Sequence, residues 1–131
     1  MAAMPYLRKS SDGHVVTITS VAGVRPIGSS IAYSMTKAAL NQMTHLLAKS
    51  HGPVRFNAVA PGLTETPMTA NMLKMAAMRE GAARQYPLGG IQTAEQVADV
   101  MAFLLGDGAV RLTGQVIAVD GGFTTVRPLV R

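Results

Sequence analysis

The alternation of short predicted strands with helices is the feature that most restricts the fold of this chain. Three strands are predicted, at His14–Thr19, Val54–Ala60 and Gln115–Val119, with helical patterns between them. Strands that alternate with helices favour a parallel sheet joined by right-handed crossovers. Because parallel sheets are normally buried on both faces, three such strands are expected within a larger α/β fold. The first strand should expose an edge that is ready to pair.

The predicted helices differ in how clearly they are marked. Ala32–Lys49 is the clearest, since small or apolar residues recur along it without a glycine or proline. Residues 66–86 form a further helical segment. Thr93 precedes a third helix that runs to about Leu105, and Gln96 three residues later completes a capping-box pattern.

Composition suggests a chain with little polar surface. The 131 residues suit one domain, with 48% apolar and only 15% charged residues, against about 25% charged in an average soluble domain. Such a chain either binds a partner over a large face or is part of something larger.

Several classes of function are disfavoured. The net charge is +5, but lysines and arginines are spread along the chain, whereas nucleic-acid binders cluster them, so no nucleic-acid partner is expected. The absence of cysteine excludes disulfides, thiolate metal sites and a thiol nucleophile, and no other ligand cluster predicts a metal site. No signal peptide or membrane-length apolar run is present. We expect no membrane partner and a cytoplasmic location.

Tyr33, Lys37 and Ser20 form the most informative group of polar residues. Tyr33 and Lys37 stand four apart on the predicted helix, so they share one face. An ammonium beside a phenol favours the phenolate, which makes the phenol a better proton donor and acceptor. Ser20, at a strand end, could hydrogen-bond the same ligand oxygen as the tyrosine. The trio would suit reduction of a carbonyl or oxidation of an alcohol. Taken singly, the three could also be a half-buried tyrosine, a solvated lysine and a strand-end serine.

The order of several short motifs points to a family. The chain resembles the C-terminal half of a short-chain dehydrogenase/reductase. The motifs that carry the resemblance are Ile18–Gly23, Tyr33–Leu40, Val54–Gly62, Thr64–Met68, Pro87–Gly89, Thr113–Gln115 and Val119–Gly122. A lone Tyr-x-x-x-Lys is weak evidence, but these motifs in this order cover nearly the whole chain.

The resemblance implies a partial Rossmann-like, doubly wound parallel sheet, in which this chain supplies the last three strands and their flanking helices. Residues 1–131 would be a single C-terminal portion of the domain. The N-terminal cofactor-binding half, with its glycine-rich phosphate turn, is absent from them. The cofactor would be NAD or NADP, and we expect the chain alone to bind it poorly, because pyrophosphate affinity comes from that turn.

The resemblance also implies roles for individual residues. Tyr33 would be the general acid/base, Lys37 would assist it and hold the ribose hydroxyls, and Ser20 would orient the substrate oxygen. Tyr33 and Lys37 would both also belong to the residues that bind the cofactor. The cofactor would further be held by the segment after the second strand, through Pro61, Gly62, Thr64 and Thr66. An ordinary strand-ending turn would explain the Pro-Gly pair as well.

Methionines follow this turn at helical spacing. Met68 and Met72, continued by Met75 and Met78, are predicted to form one stripe, which resembles the family's lid over the substrate. A helix packed on its own domain is the alternative. Asn57 resembles an asparagine that braces the Pro61-Gly62 turn, and Asp120 a structural aspartate; neither is expected to do chemistry.

Three hypotheses follow for function. The first is an NAD(P)-dependent oxidoreductase that acts on a small carbonyl or alcohol, incomplete in this chain and a homo-oligomer when full length. The second is a non-catalytic interaction module that associates with another subunit, since Ala32–Lys49 resembles the family's dimer helix. In the third, a separate chain supplies the missing half, and activity appears only in the complex.

Overall fold

A three-stranded parallel sheet forms the centre of the molecule. The computed structural model describes residues 2–28 and 30–126. In chain order the helices and strands are α1 (Met4–Lys9), β1 (His14–Ile18), α2 (Ile31–Ser50), β2 (Arg55–Pro61), β3 (Thr64–Glu65), α3 (Ala70–Leu73), α4 (Ala76–Ala83), β4 (Gln92–Thr93), α5 (Ala94–Leu105) and β5 (Val116–Val119). Short 3₁₀ turns follow β1 and α5, at Val21–Gly23 and Asp107–Ala109.

The sheet has the order β1-β2-β5, and all of its pairings are parallel. His14 lies opposite Arg55, and Ala58 lies opposite Val116. The predicted parallel sheet with helical crossovers is therefore confirmed. Among the described residues β1 pairs only with β2, so its other edge is open, as expected.

Helices cover both faces of the sheet, because alternate residues of each strand point to opposite sides. On one face, α5 contributes Val97 and Leu104 to a core that includes Val59 of β2. On the other face, α1 and α2 pack against a second core centred on Val54 and Phe56. This two-sided packing is the doubly wound arrangement that the resemblance implied.

Buried polar side chains fasten the segment before β5 to β2. Asn57 donates from Nδ2 to the carbonyl of Leu112 at 2.8 Å and accepts from the amide of Gln115 at 3.0 Å. Asn57 is structural, as expected, but it braces the approach to β5 and not the Pro61-Gly62 turn. Asn57 contacts the approach to β5 because it lies near the middle of β2, well before the turn.

Residues 66–86 differ from the prediction. The methionines do not share one helical stripe, because the segment forms two short helices, α3 and α4. Met75, between them, has an extended backbone with φ −82° and ψ 111°. Glu65 forms an ion pair with Arg79 of α4, so contacts outside the local helix direct this segment. A small second sheet, in which β3 pairs with β4, was not predicted.

The surface carries several large apolar side chains, as the composition suggested. Ile31, Met68 and Leu88 are each more than 80% exposed. Across residues 2–28 and 30–126, none of the helices combines the length and the apolar character that crossing a bilayer requires.

Candidate functional site

The carboxyl ends of the three parallel strands meet at one edge of the sheet. Ile18, Pro61 and Val119 are the last residues of β1, β2 and β5, and Pro61 lies opposite Val119 in the ladder. In open α/β sheets, ligands bind beyond this edge. The predicted site residues all follow these strand ends or lie on the helices next to them.

Tyr33 lies in the first turn of α2, at the end that faces this edge. Ser30 caps the helix, and its Oγ accepts a hydrogen bond from the Tyr33 amide at 3.2 Å. The Tyr33 side chain is 44% exposed. Within the described part of the chain, its phenol oxygen makes no hydrogen bond, so it is open to a ligand.

Lys37 connects α2 to the end of β1. Its Nζ lies 5.5 Å from the centroid of the Tyr33 ring and donates to the carbonyl of Ile18 at 3.1 Å. The i, i+4 spacing therefore brings ammonium and phenol together, as predicted. An ammonium has three N–H donors, so the bond to Ile18 leaves donors for a ligand.

Ser20 follows β1 and caps the 3₁₀ turn at Val21–Gly23. Its Oγ accepts from the Ala22 amide at 3.2 Å. A hydroxyl can accept and donate at once, and the described contacts do not use its proton. Ser20 thus lies two residues beyond the carbonyl to which Lys37 is bound.

A close approach at Gly23 holds the Ser20 turn against α2. A Cβ at this position would lie only 2.6 Å from the carbonyl carbon of Lys37, so a larger residue would push the turn away. The amide of Asn41 donates to the Gly23 carbonyl at 3.0 Å. The turn and the helix therefore form one packed unit that holds all three predicted catalytic residues.

The turn after β2 is tied to β5 and to its own next residues. The Gly62 amide donates to the Val119 carbonyl at 2.9 Å. The Thr64 hydroxyl donates to the Gly62 carbonyl at 3.0 Å and accepts from Gln92 at 3.0 Å. The Thr64 side chain is therefore engaged within the protein, which leaves a cofactor role to its backbone.

Thr66, the other threonine assigned to the cofactor, is organised by Thr69. The Thr69 Oγ1 accepts from the Thr66 amide at 3.1 Å and donates to the Thr64 carbonyl at 2.6 Å. The Thr66 hydroxyl oxygen lies 3.3 Å from the Thr69 Oγ1. One hydroxyl thus shapes the whole segment that follows the turn.

The residues assigned to the lid lie just beyond this segment. Met68 precedes α3 and is 88% exposed, while Met72 lies within α3 and is less exposed. Because both thioethers reach the surface instead of a core, an apolar group could pack on them.

Sequence reasoning missed three residues that shape the site: Gly23, Thr69 and Tyr86. The Tyr86 hydroxyl accepts from the Leu63 amide at 2.8 Å, directly beside Gly62. A Thr-x-x-Thr spacing that fits a side-chain-to-backbone turn could have indicated Thr69. Gly23 and Tyr86 act through residues distant in sequence, so no local signal marked them.

Asp120 has the structural role that was expected of it. Its buried carboxylate accepts from the amides of Gly122 and Thr124 at 3.0 and 2.9 Å, and from the Thr124 hydroxyl at 2.6 Å. In the ranges that the structure describes, no group of three or more histidine, aspartate or glutamate side chains could hold a metal ion.

Comparisons with known proteins agree with this geometry. The family model described as Enoyl-(Acyl carrier protein) reductase matches residues 1–124. The chain is 46% identical, over 93% of its length and 49% of the relative's, to a Streptomyces violaceoruber protein named as ketoacyl reductase 2 of the granaticin polyketide synthase.

Solved structures with the same fold also match. A short-chain type dehydrogenase/reductase from Mycobacterium ulcerans superposes with a TM-score of 0.88 at 34% identity, over 96% of this chain and 46% of that one. ElxO with NADP bound superposes with a TM-score of 0.86 at 28% identity, over 95% of this chain and 51% of that one.

These matches agree in family and in extent. The chain spans about half the length of the curated relatives it matches. The family model covers nearly all of the chain, and the fold and the motif order agree with it. The chain belongs to the short-chain dehydrogenase/reductase family of oxidoreductases.

Proposed function

We propose that this chain is the catalytic C-terminal portion of an NAD(P)-dependent oxidoreductase that interconverts a carbonyl and an alcohol. The observation that carries the proposal is the position of Lys37, bound to the Ile18 carbonyl and 5.5 Å from the Tyr33 ring centroid. A fixed ammonium beside an open phenol is an arrangement suited to proton transfer at a substrate oxygen.

Each of the three side chains has a separate task in this reaction. In the reducing direction, Tyr33 donates its phenolic proton to the carbonyl oxygen, and Ser20 donates a hydrogen bond to the same oxygen. Lys37 stabilises the phenolate that remains. In the oxidising direction, the Tyr33 phenolate accepts the proton of the alcohol.

The residues at the sheet edge fit a nicotinamide cofactor, NAD or NADP, which would supply or accept the hydride. The free donors of Lys37 suit ribose hydroxyls. The turn at Pro61 and Gly62 and the backbone of Thr64 would lie along the nicotinamide, with Thr66 toward a phosphate. The NADP bound to ElxO supports this class of cofactor.

The substrate is proposed to be a small carbonyl or alcohol with an apolar portion. Met68 and Met72 would cover that portion, since flexible thioethers adapt to apolar groups of varied shape. The ketoacyl reductase name of the Streptomyces relative is compatible with such a substrate. A cytoplasmic location belongs to the same proposal, as the cysteine-free sequence is compatible with it.

An exposed apolar face of α2 favours a second candidate function, subunit association. Residues four, four and three positions apart share this face, which we call the outer stripe: Met35, Ala39, Met43 and Leu46. Met35 is 67% exposed and Leu46 is 52% exposed. The outer stripe would serve a homo-oligomer of the enzyme, or a non-catalytic module that binds another subunit.

A fusion protein tests the enzymatic proposal. The N-terminal half of the Streptomyces ketoacyl reductase 2 is joined ahead of this chain, and oxidation of NADPH and NADH is followed with a panel of small ketones. We expect turnover by the fusion, and little cofactor binding by the 131-residue chain alone. Micromolar cofactor affinity of the isolated chain would contradict the proposal that it lacks the phosphate-binding half.

The Tyr33→Phe substitution tests the assigned acid/base. Loss of a positioned proton donor costs roughly 10²–10⁴-fold in rate, so kcat of the fusion should fall by this much while cofactor affinity changes little. Tyr6→Phe is the matched control, because it removes the hydroxyl of a tyrosine that is 77% exposed on α1. Turnover that survives Tyr33→Phe would remove Tyr33 from the mechanism.

A further inference from the structure

Tyr86 occupies an unusual position between the two turns that end β2 and β5. It lies after α4, and its hydroxyl oxygen accepts a hydrogen bond from the Leu63 amide at 2.8 Å. Leu63 belongs to the turn that follows β2. The segment after α4, distant in sequence, thus reaches the edge at which a ligand would bind.

The Tyr86 ring also fills the space beside the same turn. A Cβ on Gly62 would lie 3.0 Å from Cε1 and 3.2 Å from Oη of Tyr86. Both distances are shorter than ordinary carbon contacts, so the ring lies directly against the glycine backbone. The position therefore has no room for a side chain, and the hydrogen bond from the Leu63 amide ties the next residue of the turn to Tyr86.

Contacts with the turn after β5 hold the ring in place. The rings of Tyr86 and Phe123 lie with their centroids 5.1 Å apart. The amide of Leu88 donates to the Gly121 carbonyl at 3.1 Å. The segment that contains Tyr86 is thus bound to the turn after β5. Through its hydroxyl, Tyr86 connects this turn to the turn after β2.

The phenol of Tyr86 is suited to act as a neutral acceptor. Burial raises the pKa of Tyr86, the bond from the Leu63 amide lowers it, and the nearby charge of Asp120 raises it; the net direction is upward. The hydroxyl therefore stays protonated at physiological pH, and its acceptor role does not depend on titration.

We infer that Tyr86 is a positioning residue, which sets the place of the Pro61–Leu63 turn and so the placement of the nicotinamide. The inference deepens the proposed function and rests on it. Tyr86 itself need not touch the cofactor or the substrate. Its effect should appear in how tightly the cofactor is held and much less in the rate of the chemical step.

Two measurements on Tyr86→Phe test the inference, because this variant keeps the ring and removes only the acceptor. The first is amide hydrogen exchange of Leu63 in the 131-residue chain, followed by NMR. Loss of one hydrogen bond should accelerate exchange about fivefold to tenfold. Tyr6→Phe should leave the Leu63 exchange rate unchanged. An unchanged rate in Tyr86→Phe would show that the Tyr86 hydroxyl does not hold the turn.

The second measurement is steady-state kinetics of the fusion protein. We expect Tyr86→Phe to raise KM for the cofactor about fivefold while kcat changes less than twofold, the opposite of the pattern for Tyr33→Phe. Faster Leu63 exchange with an unchanged cofactor KM would overturn the positioning role. If the unsubstituted fusion binds no cofactor, the proposed function fails, and the link between Tyr86 and the nicotinamide fails with it. The Leu63 exchange rate still decides whether Tyr86 holds the turn.

Discussion

The two longest helices, α2 and α5, flank the same sheet but use their side chains in opposite ways. On α5 the buried side chains are apolar: Val97 and Leu104, seven residues apart on one face. On α2 they are polar: Asn41 and Thr44. The apolar residues of the outer stripe on α2 face away from the sheet instead.

The N-termini of both helices are capped by a side chain, but only that of α2 carries a predicted catalytic residue. At the start of α5, Thr93 and Gln96 bond reciprocally in a capping box. The backbone at Glu95 and the Thr93 hydroxyl lower the pKa of the Glu95 carboxyl, which suits a negative charge at a helix N-terminus. The first turn of α2 carries Tyr33, aimed at the sheet edge.

The difference teaches that α5 packs apolar side chains into the core, whereas α2 leaves apolar side chains exposed, which the proposed function assigns to contacts beyond this chain. Of the buried polar groups of α2, Asn41 donates to the Gly23 carbonyl and holds the Ser20 turn. Thr44 donates instead to a backbone carbonyl of the same helix. The exposed groups of α2 include Tyr33 at one end and the outer stripe along its length. Substitutions on the two helices should therefore separate stability from association and activity.

Leu104→Ala on α5 should have the largest effect on stability. The side chain is completely buried in the core beneath α5, and truncation of such a leucine costs about 2–5 kcal/mol. Urea denaturation followed by circular dichroism measures this loss. A change below about 1 kcal/mol would mean that α5 is not the stabilising helix.

Thr93→Ala should have an intermediate effect. The substitution removes the side chain that accepts from the Gln96 amide, and loss of such a cap costs about 1 kcal/mol. The same denaturation measurement applies. Thr93→Ser keeps the hydroxyl and is the matched control, which should retain most of the stability.

The double substitution Met35→Gln and Leu46→Gln should have the smallest effect on stability. Both side chains are exposed on the outer stripe, so the free energy of unfolding should change by no more than about 0.5 kcal/mol. Self-association, measured by sedimentation velocity, should weaken clearly. A loss of stability as large as that of Leu104→Ala would contradict the inference that the outer stripe of α2 contributes little to folding.

Much of the fold was predictable because its signals are local. A β-branched run marked β1, the Pro61-Gly62 pair marked the end of β2, and the capping box marked the start of α5 to the residue. The four-residue spacing of Tyr33 and Lys37 places them together on any helix. The position of Lys37 against the Ile18 carbonyl was not predictable, because it depends on how α2 packs on β1.

The features that escaped prediction depend on contacts between distant segments. The methionines of residues 66–86 have helical spacing, yet Met75 is extended, since the Thr66–Thr69 turn and the Glu65–Arg79 ion pair direct the two short helices separately. Two-residue strands such as β3 and β4 are too short for a periodic signal. Tyr86 acts through Leu63 and Gly62, which its own sequence neighbourhood does not reveal.

The parallel order β1-β2-β5 also governs when the site forms. Each neighbour in the sheet is reached through a long crossover, as in the pairing of His14 with Arg55 or of Ala58 with Val116. Hairpins, which nucleate rapidly, do not form in a parallel sheet, and distant pairings slow folding. Ser20 and Gly62 follow different strands, so the candidate site exists only after β1 and β2 have paired. An assay of site formation would therefore report on late folding rather than on early collapse.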